Sequence, residues 1–124
     1  MIGTYKGEND YIRTNIFGDQ TKPVLVLMHG YGGSGALFYR ILKSLSEHFC
    51  VITIDIPGMG ASARPNDACW KKITPLESNK YFVDKIEKWR IAMGKEFYKN
   101  EKEFTDLFWM GHSFGGHVSG HYAL

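Results

Sequence analysis

Cysteine is scarce in this chain: its 124 residues hold two, Cys50 and Cys69. They form neither a metal-binding spacing nor a disulfide framework, which excludes a small stapled scaffold and favours a reducing compartment. Cys50 opens an apolar run and reads as a small buried hydrophobe. A dominant charge is also missing. The net charge is +2 with no dense basic run, so nothing points to nucleic acid. Lys71-Lys72 and Lys99 to Lys102 read as solvated loop charges. No run of about eighteen apolar residues occurs, so no transmembrane segment is expected. The opening "MIGTYKGEND" lacks the apolar stretch of a secretory signal and the Arg-rich pattern of a transit peptide. The expectation is an intracellular protein, cytoplasmic or organelle-associated (a mitochondrion included), and not a secreted one.

What is present is an alternation of apolar runs. "YIRTNIFG", Tyr11 to Gly18, reads as a strand and "GDQTKP" as a turn. "VLVLMH", Val24 to His29, is short, β-branched and continuous, as in a strand buried on both faces of a parallel sheet. Phe38, Ile41, Leu42, Leu45 and Phe49 then recur at helical spacing as one apolar stripe. "CVITIDI", Cys50 to Ile56, is a second buried-type strand, followed by the Gly/Pro-rich loop "PGMGASARPNDA". A helix is expected from about Glu77 to Gly94, with Phe82, Ile86, Trp89 and Met93 on one face and Gly94 as its stop. "KEFYKNEKEFTD" reads as a solvated connection, with room for extra helical turns. "LFWMG", Leu107 to Gly111, is a third buried-type strand, and a small-residue helix follows Ser113. Strand and helix alternating in this way imply an α/β fold with a mostly parallel sheet and crossover helices. No repeat or second domain is visible, so residues 1–124 read as a single domain.

Two glycine motifs carry the chemistry. "GYGGSG" (Gly30, Gly32, Gly35) follows a strand, opens a helix and satisfies the dinucleotide-binding pattern, with Asp55 at the end of the next strand in the place of a ribose-binding acid. On its own that pattern is a weak signal. "FWMGHSFGGH" contains Gly-x-Ser-x-Gly as Gly111, His112, Ser113, Phe114 and Gly115, which sets a nucleophilic serine on a strained strand-to-helix turn. In this second reading the backbone N–H groups of Tyr31 and Phe114 form an oxyanion hole, and Gly30 and Gly32 keep the approach open.

The three motifs "VLVLMHGYGGSG", "VITIDIPGMGASARP" and "FWMGHSFGGH", in this order and spacing, resemble the N-terminal half of the α/β-hydrolase superfamily. The loop Asp-x-x-Gly-x-Gly-x-Ser, Asp55 to Ser62, accompanies the other two. "SARP" followed by "IEKWRIAMG" resembles the lipid-acting 4/5-type abhydrolase branch, which includes phospholipid and lysophospholipid hydrolases and a lipase co-activator that lacks the serine. The resemblance implies a serine hydrolase of lipid-like esters or amides, or an acyltransferase. Ser113 would be its nucleophile, and it would need no cofactor.

The triad of this family runs serine, acid, histidine along the chain. After Ser113 stand "FGGHVSGHYAL", with no Asp or Glu. His112, His117 and His121 lie on or just behind the elbow, so none suits the triad base. His117 and His121 are four apart, but no third ligand is evident, so no metal is expected. His29 reads as a brace for its loop, and Asp55 as an anchor for backbone N–H groups rather than a ribose ligand. Arg64 could meet an acidic headgroup, with a surface salt bridge as the plainer role. Trp70, Trp89 and Trp109 read as packing residues. The domain usual for this family runs to roughly 250 residues, so the fold is incomplete here and its "LFWMG" strand is left as an open edge. The expected partner on that edge is the remainder of the domain or a complementing protein chain. A non-catalytic subunit of a larger complex is the alternative to an enzyme, and a dinucleotide-binding fragment a weaker one.

Overall fold

Two continuous apolar runs form the middle of the sheet, because their side chains on both faces must be covered. The structure, a computed structural model, describes residues 10–64, 73–97 and 104–124; Cys69, Trp70 and the lysines at 71, 72, 99 and 102 lie outside these. Strands β1 (Thr14–Phe17), β2 (Val24–Met28), β3 (Cys50–Ile54) and β4 (Leu107–Gly111) make one sheet in the order β1-β3-β2-β4. β2 runs parallel to β3 and β4, with Val26 opposite both Ile52 and Trp109, and β1 is antiparallel to β3. The sheet is therefore mostly parallel. Every residue of β2 and β3 is buried. β1 is shorter than the predicted Tyr11–Gly18 span.

Alternation along the strands divides the core. Val24, Val26 and Met28 of β2, with Cys50, Ile52 and Ile54 of β3, face helices α2 (Pro75–Phe97) and α3 (Phe114–Ala123). Phe82, Ile86, Trp89 and Met93 of α2 and Val118 of α3 meet them, as a 3.6-residue period facing a two-residue period requires. On the other face Leu25, Leu27 and Val51 pack against Phe38, Leu42, Leu45 and Phe49, around α1 (Tyr39–Ser46).

The structure departs from the sequence reading at further places. Ile41 is 41% exposed and is not part of the α1 stripe. Gly94 does not end α2, which continues to Phe97. A Cβ at Gly94 would stand 3.1 Å from the Phe104 Cβ, so this glycine lets the returning chain lie against the helix. β4 is not a fully buried strand. Among the described residues it has a neighbour on one side only, and Phe108 is 59% and Met110 39% exposed. A feature the sequence reading passed over starts α2. Thr74 Oγ1 accepts from the Glu77 N–H, and the Glu77 carboxylate accepts from the Thr74 N–H, a reciprocal capping box. Among the described residues no helix is long and apolar enough to cross a membrane.

Polar side chains tie the layers together. The Trp89 indole N–H donates to Thr14 Oγ1 at 2.9 Å, both residues buried, and the Thr14 hydroxyl donates onward to the Ile12 carbonyl. On the outer side Arg90 forks onto the Glu87 carboxylate and also reaches the Phe104 carbonyl, while the Tyr122 hydroxyl donates to Glu87. The Arg90 hydrogen bonds hold the Glu87 carboxyl below the usual carboxylate range. Burial first, then the adjacent Glu87, pushes the Tyr122 hydroxyl up to about 12.

Thr14→Val should leave the Trp89 N–H and the Ile12 carbonyl unpaired in the core and cost about 1–3 kcal/mol; a urea midpoint equal to wild type would contradict this. Glu87 has a lowered folded pKa, so its contribution is present above the ordinary carboxylate value of 4.5 and fades as pH falls through the folded value. Glu87→Gln should therefore be less stable than wild type at pH 7, by under about 1 kcal/mol for this half-exposed pair. That difference should close in denaturation curves recorded at progressively lower pH.

Candidate active site

The end of β4 and the start of α3 are too close for an ordinary turn. Ser113 joins them with φ 54° and ψ −119°, the one non-glycine residue at positive φ among the described residues. Such a conformation costs about 1–3 kcal/mol and persists only where the surroundings impose it. Here the constraint is contact between backbones. A Cβ on Gly115 would lie 2.3 Å from the Met28 carbonyl oxygen, and one on Gly111 would lie 2.4 Å from the Gly115 carbonyl. The His112 N–H donates to the Met28 carbonyl at 3.0 Å, and the Gly115 N–H donates to the His112 carbonyl at 2.9 Å. The first turn of α3 is thereby seated on the carboxyl end of β2. Ser113 is left exposed, and its hydroxyl has no partner among the described residues.

The loop after β2 comes up against this turn, since a Cβ on Gly30 would lie 3.2 Å from the Ser113 Cβ and from His112 Nδ1. His29 is buried at its root. Its Nε2 accepts from the Ile56 N–H at 2.9 Å, which puts the ring proton on Nδ1, 2.7 Å from the Gly30 carbonyl oxygen. Asp55 is also buried. One carboxylate oxygen accepts from the Gly35 N–H at 2.6 Å and the other from the Ala61 N–H at 2.8 Å. Both oxygens are engaged inside the protein, so the acid is not offered to a ribose. His29 and Asp55 are thus braces, as their sequence context implies.

Ser62, noted in the sequence only as the end of a motif, completes the network. It is buried, donates to the Asp55 carbonyl at 2.6 Å and accepts from the Arg13 N–H at 2.9 Å. Its position within the Asp-x-x-Gly-x-Gly-x-Ser loop was the available signal.

Tyr31 and Phe114 line one cleft of about 730 Å³ with Met59, Arg64 and Phe82. Neither the Tyr31 nor the Phe114 backbone N–H has an acceptor among the described residues. Gly32, beside Tyr31 on the same wall, has φ +69°. His117 and His121 point away from the serine. They bracket Asn79 of α2, with His117 Nε2 2.9 Å from its oxygen and His121 Nε2 3.1 Å from its nitrogen. Among the described residues Arg64 has no carboxylate partner, and the expected surface salt bridge is not seen there. Its guanidinium donates weakly to the Ser62 and Gly60 carbonyls.

A strained serine between glycines, on a parallel sheet whose preceding loop folds over it, is matched by a known family. Residues 23–124 fit the model of the alpha/beta hydrolase fold. The chain belongs to this family. It is 39% identical over 118 residues to a probable 1-acylglycerol-3-phosphate O-acyltransferase of Oryza sativa subsp. japonica, covering 94% of this chain and 26% of that protein. It is 37% identical over 118 residues to a 1-acylglycerol-3-phosphate O-acyltransferase of Arabidopsis thaliana, covering 94% of this chain and 25% of that protein. Among solved structures it superposes on a bacterial membrane phospholipase A with a TM-score of 0.72 at 26% identity, covering 94% of this chain and 32% of that one. The α/β-hydrolase chain therefore spans about a quarter of the length of these curated relatives.

Gly115→Ala should force α3 off the end of β2 and lower stability by about 1–3 kcal/mol or more. Thermal denaturation checks this, and a wild-type melting temperature would show that the seat tolerates a methyl group.

Proposed function

We propose that this chain carries the nucleophile and the oxyanion-binding half of a serine enzyme that transfers acyl groups from a lipid-like ester, to water or to another hydroxyl. The observation that carries the reading is the strained, exposed and unpartnered Ser113 on the same elbow as an unengaged Phe114 N–H, with an unengaged Tyr31 N–H on the adjoining cleft wall. In this reading Ser113 Oγ loses its proton to a general base and attacks the ester carbonyl. The two N–H groups receive the resulting oxyanion, an interaction worth roughly 3–4 kcal/mol per donor in comparable sites. Collapse of the tetrahedral species releases the alcohol and leaves an acyl-serine. Water or an acceptor alcohol then takes the acyl group and regenerates Ser113.

The base and its orienting acid are supplied from outside residues 1–124. Downstream of Ser113 there is no Asp or Glu, and His117 and His121 are turned to Asn79. A serine without its base is a poor nucleophile at neutral pH. We assign the completing groups to the remainder of the hydrolase domain, or to a complementing chain, added beside β4. The exposed Phe108 and Met110 on that edge strand support this position. The lipid-like substrate is supported by the acyltransferase relatives and by the apolar Met59, Phe82 and Phe114 in the cleft. The same open edge is what favours the second reading, a non-catalytic subunit held in a complex through β4.

A fluorophosphonate probe applied to the native source decides between them. Labelling should fall on Ser113 in a polypeptide longer than 124 residues, or on this chain alone where another chain provides the base. Ser113→Ala should abolish labelling and lower turnover at least about a thousandfold. If the Ser113 peptide is present and unlabelled while other serine hydrolases in the sample react, the enzyme reading fails and the subunit reading replaces it.

A further inference from the structure

Arg64 stands out on the cleft wall. Among the described residues that line the cleft it is the one that carries a charge. Around it stand the glycine loop, the hydroxyl-bearing Tyr31 and Ser78, and the apolar side chains of Pro57, Met59, Phe82 and Phe114. No carboxylate neutralises Arg64 among the described residues. Asp55, beneath the same loop, is buried with both oxygens engaged. Nη1 lies 3.4 Å from the Ser62 carbonyl oxygen and Nη2 3.3 Å from that of Gly60. These two long bonds tether the guanidinium to the loop without saturating it, since five N–H donors are available. A planar, tethered guanidinium with no carboxylate on it among the described residues suits two-point recognition of a phosphate.

We infer that Arg64 is a specificity-determining residue that binds the phosphate of an acyl-bearing amphiphile, with the apolar chain lying along the Met59–Phe82–Phe114 side of the cleft. The inference rests on the acyl-ester reading of the site and adds the headgroup to it. A neutral ester would leave the guanidinium facing an apolar ligand, so the cleft should prefer a phosphate-bearing lipid over its neutral counterpart. The residue positions the substrate and takes no part in the chemistry at Ser113.

Binding of non-cleavable lipids tests this without relying on turnover. The full polypeptide, as its source makes it, would be titrated calorimetrically with an ether-linked 1-alkylglycerol 3-phosphate and with the 1-alkylglycerol of the same chain length. The phosphate form should bind roughly tenfold more tightly. Arg64→Gln should erase that preference while leaving affinity for the neutral lipid within twofold, which also shows that the variant is folded. Arg64→Lys should retain part of the preference. Equal binding of the two lipids by wild type, a preference that survives in Arg64→Gln, or binding of neither lipid overturns the assignment. Inorganic phosphate binding as tightly as the lipid phosphate would make free phosphate the ligand and overturn the lipid headgroup. Labelling of Ser113 separates the two readings. If it succeeds while the Arg64 preference is absent, only the headgroup assignment falls. If the preference is present without labelling, only the acyl-transfer chemistry falls.

Discussion

The site depends on how closely the start of α3 can approach the end of β2. At Gly115 the helix backbone comes so near the Met28 and His29 carbonyls that only a hydrogen fits in place of a side chain. Closeness at that point shortens the link from β4 to α3 to His112 and Ser113, and Ser113 takes the strained conformation. The same contact leaves the Phe114 N–H at the head of a helix, where no preceding carbonyl can reach it. Strain, exposure of the hydroxyl and an unengaged donor thus have one origin. Moving α3 outward by the thickness of a methyl group would relax all three together.

A second constraint acts through buried polar groups. His29, Asp55 and Ser62 lie under the two glycine loops, and each is engaged with backbone on a different segment. Side chains that resemble catalytic groups in the sequence are here braces that hold loops in place. A buried carboxylate accepting two backbone N–H groups gains no further partner without losing one already made. For this reason the nucleotide reading of "GYGGSG" finds no acid to support it, while the loop remains free to present the Tyr31 N–H to the cleft.

The sheet has unequal cover. α2 and α3 seal one face with aromatic packing, including the Trp89 and Trp109 rings 6.1 Å apart. α1 covers the other face only over β2 and β3, leaving Phe108 and Met110 of β4 exposed. An apolar edge strand of this kind is rarely left open in a working protein. The α/β-hydrolase family membership and the short span relative to its relatives both bear on that one edge.

Much of this protein is legible from residue pattern alone. The continuous runs at Val24–Met28 and Cys50–Ile54 specify parallel strands buried on both faces, because no alternation marks a solvent side. The glycines around Ser113 specify the elbow, because few other backbones require Gly at both flanks. The context of His29 and Asp55 points to braces, and their hydrogen bonds to backbone on other segments are seen only in the fold. What the pattern could not supply depends on neighbours distant in sequence. Gly94 resembles a helix stop until Phe104 is seen lying against it, and Ile41 resembles a core residue until α1 is oriented on the sheet. "LFWMG" reads as an apolar strand at an open edge, but which of its side chains stay exposed there is seen only once α1 is placed. That Arg64 meets no carboxylate among the described residues likewise emerges only in three dimensions, since whether one comes within reach is decided by how the loops fold. Local pattern determined which elements form and where the serine sits; tertiary contact alone decided which faces are covered and which polar groups are left without a partner.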